Sequence, residues 1–230
     1  EDGKYVDFAL QNSETIFTYA RLSFTGNSGW RLQTKYSKES AYDDFGAAQR
    51  LAYSLNEEDP SGLEEFSVST EGDIYTLTSS DGSRAVMNTA AFRIDFYTPS
   101  EKLSASITDL SSYAGGSSIK GELEEDEALF GTGERFNGAN QRGKVIDMYS
   151  KDTWSSASAC YMVIPLISSS RGSGLFINRY ERMTLDLGRE DKNAWKAIVE
   201  GAPLDIYIYT TEQISDVIKA YSDLTGYASM

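Results

Sequence analysis

Alternation of apolar and polar residues with a period of two is the feature that most constrains the fold of this chain. The alternation is clear at residues 92–97 and recurs at residues 16–24, 183–187 and 206–209. Successive side chains of a strand point to opposite faces, so the pattern predicts strands with one face buried and one face in solvent. Turn signals rich in Gly, Asn and Pro separate these segments. Many short strands with frequent turns predict an all-β, antiparallel sandwich or barrel.

Length and composition favour one globular domain. The chain has 230 residues, of which 40% are hydrophobic. A chain of this size can bury roughly 70% or more of the surface that it exposes when unfolded. Residues 111–118 (SSYAGGSS) form a flexible loop that is too short for a domain linker, and alternating segments continue on both sides of it. We therefore expect residues 1–230 to form a single domain.

Two segments have helical periodicity. In residues 210–226 apolar residues recur every three or four positions, which predicts a C-terminal amphipathic helix. Thr210 and Gln213 match a capping box at its start, and Gly226 stands where a glycine C-cap is expected. A shorter pattern at residues 45–55, interrupted by a glycine, predicts one short helix.

The absence of histidine excludes several classes of catalytic and metal site. Ser-His-Asp and Cys-His catalysis, His-based acid–base chemistry and imidazole-dependent metal sites all need this residue. The chain has one cysteine, Cys160, so an intramolecular disulfide and a Cys-only zinc site are also excluded. We expect neither a metal nor a cofactor.

Charge and hydropathy restrict the partners. With 35 acidic and 21 basic residues the formal net charge is −14, which argues against nucleic acid and anionic membrane surfaces as partners. No apolar run is long enough to span a bilayer, and the first residues lack the pattern of a signal peptide. We expect a soluble protein and leave its compartment open, with a cytoplasmic location preferred to secretion.

Two short motifs have ordinary structural explanations. Gly131-Thr132-Gly133 lacks the third glycine of a dinucleotide-binding loop, because Phe136 stands there, and no Walker lysine follows. We interpret it as a tight turn or bulge between strands. The acidic run at residues 122–127 lacks the pattern of a calcium loop, and we interpret it as solvated charge at a strand edge.

Trp154 is a candidate contact for carbohydrate. It lies in the polar stretch 150–158, close to Asp152, where no alternation places it in a strand. An exposed aromatic ring beside a carboxylate can contact the apolar face of a sugar and its hydroxyl groups together. Trp30 and Trp195, by contrast, are expected in or near the core.

Four segments of the second half resemble, in order and spacing, motifs of family 31 glycoside hydrolases. The family motifs Tyr-Gly-x-Gly-Glu, Trp-Asn-x-Asp, Tyr-x-x-Ile-Pro-Phe and Arg-Gly-Tyr-Gly-Leu-Phe-x-Asn are similar, in turn, to residues 129–136 (LFGTGERF), 149–152 (YSKD), 161–166 (YMVIPL) and 171–178 (RGSGLFIN). The resemblance is close over residues 120–226 and looser over residues 1–119. Ser173 stands where the family has an aromatic residue, so the sugar specificity stays open.

The resemblance implies a galactose-mutarotase-like β-sandwich that packs against a (β/α)8 barrel. In the family the barrel supplies both catalytic aspartates, and the nucleophile lies in a Trp-x-Asp-Met-x-Glu motif. None of the three tryptophans here has Asp two residues later. We therefore expect no catalytic residue in this chain, and we expect the barrel to follow residue 230. The chain would be the non-catalytic N-terminal domain of a retaining α-glucosidase or α-xylosidase.

The resemblance also implies one functional loop, which leans into the mouth of the barrel and borders the site of the leaving-group sugar. Asp152 corresponds to the aspartate of the Trp-Asn-x-Asp motif, and its carboxylate could accept hydrogen bonds from two sugar hydroxyls. An ordinary exposed turn residue is the alternative interpretation. Asp152 and Trp154 are thus the candidate substrate-binding residues. The implied partners are the barrel of the same polypeptide and its oligosaccharide substrate.

Two other functions come into consideration. An independent carbohydrate-binding module is the alternative, because a sandwich with exposed aromatic residues could bind sugar by itself. An aldose mutarotase is suggested by the fold type alone. That chemistry normally uses histidine beside a glutamate, and the chain has no histidine, so the sequence argues against it.

Overall fold

Sixteen strands and one helix make up the described part of the chain. The structure is a computed structural model that describes residues 3–38, 63–152 and 160–227. The strands are β1 (Tyr5–Ser13), β2 (Ile16–Phe24), β3 (Gly29–Ser37), β4 (Phe66–Glu71), β5 (Ile74–Ser79), β6 (Arg84–Asn88), β7 (Arg93–Tyr97), β8 (Leu103–Tyr113), β9 (Gly116–Glu122), β10 (Leu129–Gly131), β11 (Val145–Met148), β12 (Leu166–Ser169), β13 (Ser173–Ile177), β14 (Met183–Leu187), β15 (Ala194–Glu200) and β16 (Asp205–Thr210). The helix is α1 (Ile214–Thr225).

The strands form two sheets, which confirms the predicted all-β architecture. The seven-stranded sheet has the order β1-β2-β3-β16-β13-β12-β10, and the nine-stranded sheet has the order β11-β14-β15-β9-β8-β7-β6-β5-β4. Neighbouring strands run antiparallel, for example β16 between β3 and β13. The prediction of a flexible loop at residues 111–118 was wrong, because these residues pair as the ends of β8 and β9 and only residues 114–115 form the turn between them. The last strand, β16, lies at the centre of the seven-stranded sheet, next to β3 from the first part of the chain.

The inner faces of the two sheets share one hydrophobic core. Leu22, Trp30 and Ile206 reach it from the seven-stranded sheet, and Ile94 and Phe96 reach it from the nine-stranded sheet. All five side chains are almost completely buried. The residues that alternate in the sequence are thus the residues that face the opposite sheet, as expected for a sandwich.

A second apolar cluster covers the outer face of the seven-stranded sheet. Tyr207 and Tyr209 of β16 pack there with Val217 and Ala220 of α1, and every residue of β16 is buried. The prediction of a solvated face for residues 206–209 was therefore wrong. The period of two is preserved, but α1 shields the face that alternation alone assigns to water.

The C-terminal helix is confirmed, but its start differs from the prediction. Thr210 does not cap α1, because its N–H and Oγ1 both donate to the Ser28 carbonyl at the end of β16. Gln213 occupies the N-cap without a side-chain hydrogen bond. Gly226 forms the C-cap with φ of 95° and donates its N–H to Ser222, as expected. The helix predicted at residues 45–55 lies outside the described residues. Among the residues that the structure describes, no helix is long and apolar enough to cross a membrane.

The acidic run contains one buried carboxylate, which corrects our interpretation of it as solvated charge. Glu127 is 8% exposed. Its carboxylate accepts hydrogen bonds from the Ser169 hydroxyl and from the Glu124 N–H. Glu122 is exposed, as predicted, and pairs with Arg93 at the end of β9, which is an interior strand of its sheet. Sequence alternation could not separate these two glutamates, because Glu127 lies after the strand has ended.

Candidate functional site

The loop that carries Asp152 joins the two sheets. It leaves the edge strand β11 of the nine-stranded sheet and returns through Cys160 toward β12 of the seven-stranded sheet. Its two arms are tied together, because Lys151 N–H donates to the Cys160 carbonyl at 3.0 Å and Ser150 Oγ donates to the Tyr161 carbonyl at 2.9 Å. These bonds hold Asp152 at one end of the sandwich.

Asp152 is exposed, as predicted for a loop residue. Its Oδ1 accepts a hydrogen bond of 2.7 Å from the Tyr161 hydroxyl. Tyr161 is itself 59% exposed, so the structure presents a carboxylate and a phenol ring side by side at the surface. Sequence reasoning placed Tyr161 in a family motif but did not predict this contact. Trp154, the second candidate residue, lies outside the described residues.

An ion-paired carboxylate anchors the base of the same loop. Asp147 on β11 accepts hydrogen bonds from Arg182 Nε at 3.0 Å and Nη2 at 2.9 Å, and it also pairs with Lys151. The Arg182 hydrogen bonds, assisted by Lys151, hold the pKa of Asp147 below its usual value. Asp147 is therefore an ionised group that fixes Lys151, the residue next to Asp152.

The glycine-rich segment after β10 packs against the second arm of the loop. Gly131, Thr132 and Gly133 all have positive φ, at 111°, 73° and 95°. A Cβ on Gly133 would lie 2.0 Å from the Met162 carbonyl oxygen, so only glycine permits this approach. Thr132 N–H donates to Leu166 and Glu134 N–H donates to Met162. The Thr132 and Glu134 amides are thus engaged within the protein, in agreement with a tight turn rather than a phosphate cradle.

Large side chains from these segments and from the stretch after β13 are exposed. We call this surface the aromatic face, and its members are Phe136 (79% exposed), Tyr149 (53%), Tyr161 (59%), Met162 (52%) and Tyr180 (74%). The hydrogen bonds between residues 134 and 162 and between residues 150 and 161 place four of them on joined segments. Tyr149 and Tyr180 also line one cleft. Exposed apolar side chains on neighbouring segments are a candidate interaction site.

A cleft of about 480 Å³ opens beside the aromatic face. Tyr149 and Tyr180 belong to the aromatic face and also line the cleft. Ile164 and Pro165 form an apolar wall of the cleft, and Arg179 is another lining residue. Sequence analysis identified neither the cleft nor the aromatic face, because exposure at a loop depends on contacts between distant segments. In the described part of the chain, no group of acidic or thiol side chains converges as a metal site requires.

Comparison with protein families gives a match over most of the chain. Residues 19–186 match the family described as the glycosyl hydrolase 31 N-terminal galactose mutarotase-like domain. The curated proteins of similar sequence include an α-xylosidase and an isomaltosyltransferase. The α-xylosidase XylQ of Lactiplantibacillus pentosus is 31% identical over 101 residues, which are 44% of this chain and 13% of that protein. The isomaltosyltransferase of Sporosarcina globispora is 24% identical over 237 residues, which cover 95% of this chain and 20% of that protein.

Solved structures share the fold. A GH31 dextranase from Flavobacterium johnsoniae superimposes with a TM-score of 0.80 at 19% identity, over 100% of this chain and 29% of that one. The cycloalternan-forming enzyme of Listeria monocytogenes gives a TM-score of 0.82 at 16% identity, over 100% of this chain and 22% of that one. The chain thus spans less than a third of the length of each of these proteins.

Proposed function

Because the chain belongs to the family of glycosyl hydrolase 31 N-terminal galactose mutarotase-like domains, we propose that it is the non-catalytic sandwich domain of a longer α-glycosidase. The parent polypeptide would hydrolyse α-glucosidic or α-xylosidic bonds with retention, using a (β/α)8 barrel that follows this domain. The family match over residues 19–186 is the observation that carries this proposal. The small share of each relative that the chain covers supports it, because the rest of such a protein has room for a catalytic domain.

The aromatic face would pack against the catalytic barrel. Its five members are more than half exposed in the chain alone, which leaves a large apolar surface in water. Burial of apolar surface stabilises an interface by about 25 cal/mol for each Å² removed from water. The segments that carry the face are fixed by hydrogen bonds and glycine turns, so the surface is held ready for a partner.

Asp152 would reach the leaving-group sugar from the rim of this interface. The hydrogen bond from Tyr161 orients its carboxylate, and hydrogen bonds from sugar hydroxyls to a carboxylate belong to the stronger, charge-assisted class. Trp154 would supply an apolar surface for the same sugar. The chain would thereby shape the substrate site without supplying the reacting carboxylates.

Hydrolysis assays test the proposed function. The isolated chain is expected to release no aryl alcohol from aryl α-glucosides or aryl α-xylosides, whereas the parent polypeptide is expected to turn over at least one of them. Turnover by purified residues 1–230 would contradict the assignment of catalysis to the rest of the parent.

An independent carbohydrate-binding module is the second candidate, because Asp152 and Tyr161 form an exposed pair of the kind that contacts sugars. Isothermal titration of the isolated chain with maltose, isomaltose and xylose oligomers separates the two functions. The proposed scaffold role predicts no binding tighter than millimolar. Micromolar binding by the isolated chain would favour the module.

A further inference from the structure

Arg179 is a buried cation that forms no ion pair with the residues that the structure describes. It follows β13 and is 6% exposed, and its Nε has no hydrogen-bond partner. In the described ranges, no carboxylate lies within ion-pairing distance of its guanidinium group. Burial lowers the pKa of Arg179, and the more distant charges of Asp205 and Glu181 oppose that shift only in part. Buried charges are ordinarily paired, because removal from water costs several kcal/mol per ion.

The nearby Asp205 cannot serve as the partner. Its carboxylate is fully buried and accepts hydrogen bonds from Arg31 Nε and Nη2, each at 2.8 Å, and from Asn178 Nδ2 at 2.7 Å. This network joins β3, β13 and β16 in the middle of the seven-stranded sheet. Asp205 is therefore committed to Arg31, and Arg179 is left beside a carboxylate that is already neutralised.

The residues around Arg179 indicate the charge and polarity that a partner would need. The cleft of about 480 Å³ is lined by Val163, Ile164, Pro165 and Phe176, which are apolar, while Arg179 supplies its positive charge. An occupant that matches both features is a carboxylate on an apolar segment. The cleft shares lining residues with the aromatic face, so one packed surface would cover both.

We infer that the Arg179 cleft receives an Asp or Glu side chain from the catalytic part of the parent polypeptide, in a buried interdomain ion pair. This inference rests on the proposed function. Two observations support that source of the carboxylate: the cleft adjoins the aromatic face, and the chain covers 13% to 29% of the similar α-xylosidase and dextranase. Most of such a polypeptide therefore lies outside these residues.

The test compares one substitution in two proteins, the isolated chain and the full-length parent. Amide hydrogen exchange of residues 176–183 is measured by mass spectrometry for wild type, Arg179→Met and Arg179→Lys. In the isolated chain Arg179→Met removes an unpaired charge, so exchange is expected to stay the same or to slow. In the parent it breaks the ion pair, so exchange is expected to accelerate at least roughly tenfold. Arg179→Lys is expected to restore part of the protection.

Arg84→Met is the matched control. Arg84 is partly exposed and pairs weakly with Glu101 at 3.7 Å on the nine-stranded sheet, so its substitution should have the same small effect in both proteins. Slower or unchanged exchange in the Arg179→Met parent would overturn the inference. Faster exchange in both proteins would also overturn it, because it would indicate a partner within this chain, such as Glu181.

Two further measurements separate this inference from the proposed function. Hydroxyl-radical labelling of Tyr149 and Tyr180 is measured in the parent and in the isolated chain. Equal labelling in the parent and the isolated chain would overturn both the docking and the ion pair. If labelling is reduced in the parent but Arg179→Met leaves its amide exchange unchanged, the ion pair alone would be overturned. Titration of the isolated chain with glucuronate tests whether the carboxylate comes instead from a small-molecule ligand. Binding tighter than millimolar that Arg179→Met abolishes would make the cleft a ligand site and overturn the interdomain pair.

Discussion

At the residue scale, the candidate site depends on contacts between side chains that are separated along the chain. Tyr161 donates to Asp152 at 2.7 Å, and Asp147 pairs with Arg182 and Lys151 below them. Two roles are thus divided between neighbouring carboxylates. Asp147 holds the loop in place, and Asp152 is presented at the surface.

Asp152→Ala in the full-length parent is expected to lower kcat/KM. Loss of the Asp152 carboxylate would leave sugar hydroxyls without a hydrogen-bond acceptor in a partly dry site. This loss costs about 1–3 kcal/mol of transition-state binding. Steady-state kinetics with an oligosaccharide substrate measure the change. Asp73→Ala is the control, since Asp73 is exposed in the turn between β4 and β5. Wild-type kinetics for Asp152→Ala would leave it as an ordinary turn residue.

Asp147→Asn is expected to destabilise the isolated chain in a pH-dependent way. The pKa of Asp147 is lowered in the folded protein, mainly by Arg182, so its ionised form is favoured by folding. That stabilisation is present above the unfolded pKa of about 3.9 and is lost as the pH falls through the folded value. Urea midpoints of wild type and variant should therefore differ at pH 7 and converge below about pH 4. A difference that persists at acidic pH would contradict the ion-pair role.

The sequence predicted some of these residues and missed others for a physical reason. Asp152 is a candidate because it lies at a recognisable motif position, and its role stays a prediction. Trp30 was correctly placed in the core. The exposure of Tyr161 and the burial of Arg179 were not predicted. Both depend on which loops meet at the end of the sandwich, and local periodicity carries no information about such long-range contacts.

At the scale of elements, α1 and the central strands of the seven-stranded sheet fit together through one glycine. A Cβ added to Gly174 on β13 would lie 2.3 Å from Val217 Cγ1 and 3.1 Å from the Tyr209 ring. The absence of a side chain at residue 174 therefore lets α1 approach the sheet. This close approach buries both faces of β16.

Gly174→Ala is expected to destabilise the chain by about 1–3 kcal/mol, because the added methyl group overpacks a contact with a stiff β-branched side chain. Urea unfolding measures the loss. Gly115→Ala is the matched control, since its Cβ would meet only the Tyr113 ring at an ordinary 3.7 Å. Adding Val217→Ala should recover part of the loss, as coupled neighbours do. Equal stability of the two glycine variants would contradict the packing argument.

Strand positions were predictable because alternation survives in the sequence wherever one face meets the core. The bounds of α1 were less predictable, since Thr210 is used by β16 through Ser28 instead of by the helix. The local sequence pattern predicted that Thr210 caps the helix, but its hydroxyl forms a tertiary hydrogen bond to Ser28 instead. A long-range contact also explains why the burial of Glu127 was not predicted. Its carboxylate accepts a hydrogen bond from Ser169, which is distant in the sequence.

At the scale of the whole molecule, the two sheets bury one core and leave the aromatic face uncovered. The family assignment, the limited coverage of each relative and the exposed large side chains are the observations behind our proposal of a domain that supports a catalytic neighbour. Sequence motifs were sufficient to identify the family, but the exposed side chains of the aromatic face became visible only in three dimensions.

Hydroxyl-radical footprinting of the aromatic face tests this account most directly. Phe136, Tyr149, Tyr161, Met162 and Tyr180 are labelled in the isolated chain and in the full-length parent, with the partly exposed Tyr113 as the internal reference. If the aromatic face packs against the catalytic part, labelling of most of the five should fall several-fold in the parent while that of Tyr113 stays the same. Equal labelling of the aromatic face in the two proteins would contradict it.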